Sequence, residues 1–422
     1  MASTTHGLDN PWPEKPIAPV LTVFLGGGTG RGEMKKNKAL EKIQQRCQAL
    51  YEDLNLATVR AWKAEAPGRK AIGFMPVYIP REILHAAGIL PVGLMGADIE
   101  IIRGDAYFQS YICHIPRSTI EMGVNGSLDA LDGVIFPSIC DVIRNLSGMW
   151  KMMFPDKYSK YLDLPQNFTP GLAGEYYIAE LRTLAADMER LSGHRITDDA
   201  LRESIRLYNR NRELVLELYD LRAEKPWQVR TVELYLLLRA GNLLPVEEHN
   251  AMLEAYREAI EGEERQALDN SRIVLTGAFC EQPPLGLIRT IERSGCYIVD
   301  DDFVLGSRFL TAPIPEEGDP VANIAQTFLD HAMETPFVYI AEKEKGEALV
   351  RQCKKRRGEG VIFSAASFCD PALLDQPMVS AAVEREGIPY TEFKYAENTG
   401  QFQVIKEQTG TFSDSIKLWG NE

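Results

Sequence analysis

The chain is 422 residues long, 45% apolar, and carries a formal net charge of -14 with a pI near 5.1. At roughly 100–200 residues per domain this length predicts two or three domains, and the acidic balance argues against a nucleic-acid-binding surface, which needs a basic face for phosphates. No stretch approaches the ~20 uncharged apolar residues of a membrane span, and the opening MASTTHGLDNPWPEKP lacks the charged, apolar and small-residue parts of a secretory signal, so a cytoplasmic location is expected.

Residues 1–35 are rich in Pro and Gly and contain LGGGTGRG. Those glycines fit neither GxGxxG nor GxxxxGK[ST], because Arg31 and Gly32 stand where a closing Gly or a Lys-Ser/Thr pair is needed; the reading is a flexible N-terminal arm. From Lys35 to about Glu65 a helical pattern places Leu40, Ile43, Cys47, Leu50 and Leu54 on one face, which makes Cys47 a core residue. KAIGFMPVYIPREILHAAGILPVGLMG then predicts a strand, a proline turn, a helix closed by Gly88 and a second strand into Gly93. Residues 170–268 read as a helical domain, with a Thr197/Asp198 cap signal before one long helix and a glycine stop and proline restart in TVELYLLLRAGNLLPVEEHN. From Ser271 the earlier wording returns: strand, turn at Pro283 and Pro284, helix, Gly295, strand. Each unit is later followed by a VIF run that ends on Cys-Asp, VIFPSICD and VIFSAASFCD. The chain therefore reads as two related α/β halves, residues 36–169 and 269–422, each with a buried parallel sheet and separated by the helical domain.

Seven cysteines occur with no CxxC, and six histidines form neither HxxxH nor HExxH, so a zinc site is not expected. In open parallel sheets ligands sit beyond the carboxyl ends of the strands, where Cys140 and Cys369 both fall. Cys113 lies in a break before Pro116, ahead of a helix start with the Ser118/Glu121 capping-box spacing. Three thiolates from separated loops are suited to three irons of a [4Fe–4S] cluster, leaving the fourth iron open to water or substrate. Asp141 and Asp370 would orient those loops or tune the site from behind. Against this stands the usual fate of a free Cys, a small buried hydrophobe. Cys280 in TGAFCEQ stays open as a further ligand, whereas Cys296 and Cys353 read as structural or exposed. His114, beside Cys113, is a candidate proton donor. KKRR at 354–357 reads as charge at a helix C-terminus, with a grip on CoA phosphates as the alternative, and LSGMWKMMFP as core, with an apolar substrate wall as the alternative.

At PREILHAAGILPVGLMG, YICHIPRSTIE, FPSICDVIRN and SFCDPALL, in that order, the chain resembles the 2-hydroxyacyl-CoA dehydratase and benzoyl-CoA reductase family, over roughly residues 40–420. That resemblance implies two flavodoxin-like (Rossmann-like) lobes with a helical domain, and a [4Fe–4S] cluster held by Cys113, Cys140 and Cys369. RGDAYFQSYICHIPRSTIE and CDVIRNLSGMWKMMFP look most like catalytic subunits of the ATP-dependent benzoyl-CoA reductases. The resemblance then implies a second, dehydratase-like catalytic subunit, a separate ATP-hydrolysing iron–sulfur activator, ferredoxin as electron donor, and two-electron reduction of an aromatic acyl-CoA to a cyclic dienoyl-CoA. Such a reduction needs a proton donor close to the ring, for which His114 and Asp141 are the candidates. ATP would be bound by the partners, since this chain has no nucleotide motif. A 2-hydroxyacyl-CoA dehydratase working through a ketyl radical, and a non-catalytic electron-relay subunit, are the rival readings.

Overall fold

The structure, a computed structural model, describes residues 37–75, 77–97, 99–169, 171–172, 174–277, 283–302, 308–336, 338, 344–396 and 402–419. The N-terminal arm with its glycine run, and Cys280, lie outside the described residues.

The helical pattern of 35–65 resolves into two helices, α1 (Lys38–Tyr51) and α2 (Ala57–Ala64). Asp53 separates them by turning its carboxylate onto the amides of Ala57 and Thr58, both at 2.8 Å, and Leu56 takes a left-handed φ of 54° at the join. Cys47 is buried, as its place in the apolar stripe requires.

Then follow β1 (Lys70–Phe74), α3 (Arg81–Ala86), β2 (Ile89–Gly93), α4 (His114–Val124), β3 (Gly133–Pro137), α5 (Asp141–Met153) and β4 (Tyr158–Leu162). Four helices intervene: α6 (Gly174–Ser192), α7 (Asp198–Glu224), α8 (Thr231–Ala240) and α9 (Val246–Glu261). The second half runs β5 (Ser271–Thr276), α10 (Leu285–Arg293), β6 (Cys296–Asp301), α11 (Pro320–His331), α12 (Glu347–Lys355), β7 (Gly360–Ala366), α13 (Asp370–Arg385), β8 (Tyr390–Tyr395) and α14 (Phe402–Trp419). Both sheets are four-stranded and parallel, in the orders β2-β1-β3-β4 and β6-β5-β7-β8, so the quiet repeat in the sequence is a repeat of topology. The glycines that close the first helix of each unit, Gly88 at φ 71° and Gly295 at φ 89°, adopt the left-handed conformation that only Gly takes without cost. The VIF runs are the buried middles of β3 and β7, apolar on both faces because helices cover both sides. No helix among the described residues is long and apolar enough to cross a membrane.

In this order the chain reverses direction across the sheet between β1 and β3, and between β5 and β7, which opens a crevice at the carboxyl ends of those strands. Helix α7 begins at the Thr197 cap, whose hydroxyl accepts from Ala200, packs on α3 and α9, and ends against β6. That last contact is ionic and buried. Arg222 of α7 bonds Asp301 at 2.6 Å, Arg308 bonds Asp300 at 3.0 Å and the Asp301 carbonyl at 2.6 Å, and Arg356 bonds Asp300 at 2.8 Å. Tyr219 donates to Asp301 at 2.9 Å and lies flat under the Arg308 guanidinium, 3.5 Å from its ring centre. The guanidinium groups hold the Asp300 carboxyl below the usual range despite its burial. The KKRR run is thus divided: Lys354 and Lys355 do sit in the last turn of α12, but Arg356 is a buried partner of Asp300.

Replacing Arg222 by Met leaves Asp301 buried beside one fewer cation. Both side chains are only 1% exposed, and loss of one partner of such a pair costs about 3–5 kcal/mol. Chemical denaturation should show a loss of that size; a change under about 0.5 kcal/mol would mean that the pair contributes nothing net.

Candidate functional site

A parallel strand delivers the chain to the carboxyl edge of its sheet, and the helix that returns it begins at that edge. Each of the three candidate cysteines occupies such a beginning. Cys113 is the N-cap of α4, Cys140 of α5 and Cys369 of α13. The first turn of a helix presents amides without intrahelical partners and the positive end of the backbone dipole, both favourable to a thiolate or an anionic cluster. Cys140 and Cys369, which follow the two strands beside the crevices, are brought together from opposite halves of the chain. A charge on Cys369 raises the pKa of Cys140. Burial pushes the Cys140 thiol up to about 11, Cys369 and Asp141 add to the rise, and the amides of Ile143 and Val142 oppose it without closing a capping hydrogen bond. Cys369 is 2% exposed and Cys113 9%. Cys113 belongs to the same lobe as Cys140, and the helix it starts packs along α5.

The remaining candidates fall out differently. Ser118 and Glu121 do not cap α4: they lie inside it, because the helix starts five residues earlier than their spacing suggests. Ser118 donates to the Ile115 carbonyl, and one oxygen of Glu121 accepts from the amides of Ile102, Arg103 and Gly104 at 3.0, 2.7 and 2.7 Å. The carboxylate thereby holds the segment that leads toward Cys113, a role that nothing in the sequence marks. His114 is half-buried and its Nε2 meets the Ala97 carbonyl at 2.7 Å, which assigns the proton of the neutral ring to Nε2. Asp141 and Asp370 are exposed first-turn residues of α5 and α13. Phe368, directly before Cys369, has φ 66° and is half exposed, an unfavourable backbone for a bulky residue at the turn that presents the thiol. Cys296 and Cys353 are buried, the structural half of their expectation. In LSGMWKMMFP, Leu146 and Trp150 are core, as packing predicts, while Met152 points outward.

Comparison with known proteins decides the family. Residues 76–416 match the family described as 2-hydroxyglutaryl-CoA dehydratase, D-component. The chain belongs to that family. It is 55% identical over 380 residues to a benzoyl-CoA reductase subunit of Thauera aromatica, covering 89% of this chain and 98% of the relative. It is 26% identical to the (R)-phenyllactyl-CoA dehydratase beta subunit of Clostridium sporogenes, over 83% of this chain and 93% of that one. Identity is again 26% to the beta subunit of (R)-2-hydroxyglutaryl-CoA dehydratase of Acidaminococcus fermentans, over 84% and 94%.

Among the described residues no three His, Cys, Asp or Glu side chains stand close enough to hold one metal ion. A cluster of several irons makes a different demand, since each cysteine binds its own iron and the thiols stay apart. Three N-cap thiols with helix dipoles behind them fit that demand in donor type and in charge.

The metal-free thiol of Cys140, at about 11, should be about one-thousandth ionised at pH 8 and react correspondingly slowly with iodoacetamide. Its pH midpoint for alkylation should move down when Cys369 is changed to Ser, because that change removes a like charge; a midpoint near 8.5, or one indifferent to Cys369, would contradict the burial and the proximity.

Proposed function

We propose that this chain is an iron–sulfur catalytic subunit of an ATP-dependent benzoyl-CoA reductase, with Cys113, Cys140 and Cys369 each holding one iron of a [4Fe–4S] cluster. The observation that carries the reading is the placement of Cys140 and Cys369 at equivalent helix starts in two lobes of the same strand order. The 55% identity to a benzoyl-CoA reductase subunit over nearly the whole of both chains supports ring reduction as the reaction. The dehydratase beta subunits, at 26%, support the rival in which a 2-hydroxyacyl-CoA loses water on the same kind of centre.

When bound, the cluster would supply single electrons at low potential, which an aromatic thioester needs before it accepts a proton. The chain's own contribution begins with the three helix starts, whose amides offset the negative charge gathered on the thiolates. Burial of Cys369 and Cys113 keeps water from the sulfurs and makes each added charge costlier, which favours a strongly reducing site. His114, whose Nε2 meets the Ala97 carbonyl, would be a proton donor to the ring. Asp141 would serve as a second, solvent-side proton source. A dehydratase-like second subunit, an ATP-hydrolysing iron–sulfur activator and ferredoxin complete the proposed assembly, with ATP bound by the activator.

Anaerobically purified protein is expected to contain about four iron and four acid-labile sulfide per chain, with a low-temperature EPR signal on reduction. Changing Cys113, Cys140 or Cys369 to Ser should lower the content and abolish benzoyl-CoA-dependent turnover with the activator. Iron-free wild type, or Ser variants with a full cluster, would sink the ligand assignment, and dehydration of a 2-hydroxyacyl-CoA without reduction of benzoyl-CoA would select the rival.

A further inference from the structure

The two lobes share a topology but not a filling. Aligned from their Cys-Asp starts, α5 and α13 pair Ile143 with Ala372, Leu146 with Asp375 and Trp150 with Val379. In the first lobe these positions form the stripe that faces the sheet, and all three are at most 3% exposed. The Trp150 indole lies 6.1 Å from the Phe136 ring centre and 4.4 Å from that of Phe154, and Gly123 on α4 makes room for it, since a Cβ there would stand 2.9 Å from the indole. Its Nε1 is buried without a hydrogen-bond partner, so the ring is there to occupy volume.

In the second lobe the matching residues are smaller, and all three line a cavity of about 640 Å³. Phe363, which matches Phe136 in the repeated VIF run, lines it together with Val274 and with Leu349 of α12. The cavity is thus bordered by the counterpart of each residue in the first lobe's sheet-facing stripe, Val379 standing in the place of Trp150, and its size is typical of small-molecule sites. It begins one helical turn from Cys369, at Ala372.

The polar groups in it are few and fixed. Lys345 bonds Asp375 at 3.1 Å and donates to the Thr335 carbonyl at 2.8 Å, which employs two of the three ammonium donors. Asp302 accepts from the Thr276 hydroxyl at 2.9 Å and the Gly277 amide at 2.8 Å. Thr335 is also anchored from the first lobe, where its hydroxyl meets that of Tyr78 at 2.5 Å. Carboxylates outnumber the lysine and arginine of the lining, so the cavity disfavours an anion.

The geometry points to a binding site for an uncharged aromatic acyl group: the ring enters the cavity beside Val379, the counterpart of Trp150, and a neutral carbonyl meets Lys345. The thioester part rests on the proposed function; the ring part rests on the cavity alone. An arenecarboxylate carries the same ring and the wrong charge.

The test uses saturation-transfer NMR and calorimetry on the full chain, both metal-free and iron-loaded, with benzoyl-CoA, CoA, toluene and benzoate as probes. Benzoyl-CoA and toluene are expected to bind, with benzoyl-CoA at least about tenfold tighter than CoA or benzoate. Val379→Trp, which copies the first lobe's plug, should weaken benzoyl-CoA and toluene by about tenfold or more while leaving iron content and melting temperature at or above wild type. If that variant does not fold, Val379→Phe is read in the same way. Absence of toluene and benzoyl-CoA binding, benzoate binding as well as benzoyl-CoA, or a folded plug variant that binds unchanged would each overturn the inference. Because binding is read on metal-free protein too, failure of the cluster assignment leaves this result separate.

Discussion

Every strand among the described residues runs parallel to its neighbours in the sheet, and much of the structure follows from that. A parallel pair cannot be joined by a tight turn, so each strand must be returned by a crossover, here built around helices, and each such helix must begin at the edge where a strand has just ended. All the strand ends and helix starts of a lobe therefore gather on one side. Residues at those starts face unpaired amides, whatever their distance in sequence, and the chain places Cys113, Cys140 and Cys369 there. The same constraint explains why the VIF runs are apolar throughout: a sheet covered on both faces has no polar side.

The helical region depends on a second constraint, the cost of burying charge. Asp300 and Asp301 end β6 in an almost dry interior, and they are tolerable only because Arg222, Arg308 and Arg356 arrive from three different segments to meet them. That requirement ties the end of α7 and the turn after α12 to one strand of the second lobe. Such a network specifies an arrangement more than it stabilises it, because any misplacement leaves an unpaired charge. Tyr78, held at a left-handed φ of 63° and bonded to Thr335, makes a corresponding tie between the lobes near the crevice.

The lobes also show how a repeated frame can diverge. The backbone needs a helix over β3 and a helix over β7, but it does not prescribe how fully the space beneath is filled. A tryptophan fills the space beneath its helix in one lobe, and a valine in the same place lines the cavity of the other, near Cys369. The strained backbone at Phe368 sits at the same junction, where β7 runs two residues longer than β3 before a turn of the same length.

Much of this was legible in the residues themselves. The period of the apolar positions marks the helices, the continuous VIF runs mark buried parallel strands, and Gly88, Gly295 and Thr197 mark ends and caps, because each of these signals is local and comes from the backbone within a few residues. The repeated Cys-Asp at strand ends even pointed to the site. What no local signal carries is which distant groups meet. Ser118 and Glu121 have the spacing of a cap and yet lie within α4, KKRR reads as surface charge and yet contributes Arg356 to a buried pair, and Glu121 spends its carboxylate on three amides that precede it by up to 19 residues. The approach of Cys369 to Cys140, the ring of arginines around β6 and the hollow under Val379 exist only once two sheets and four helices are packed together, since each is a balance of volume or charge between segments that the chain keeps far apart.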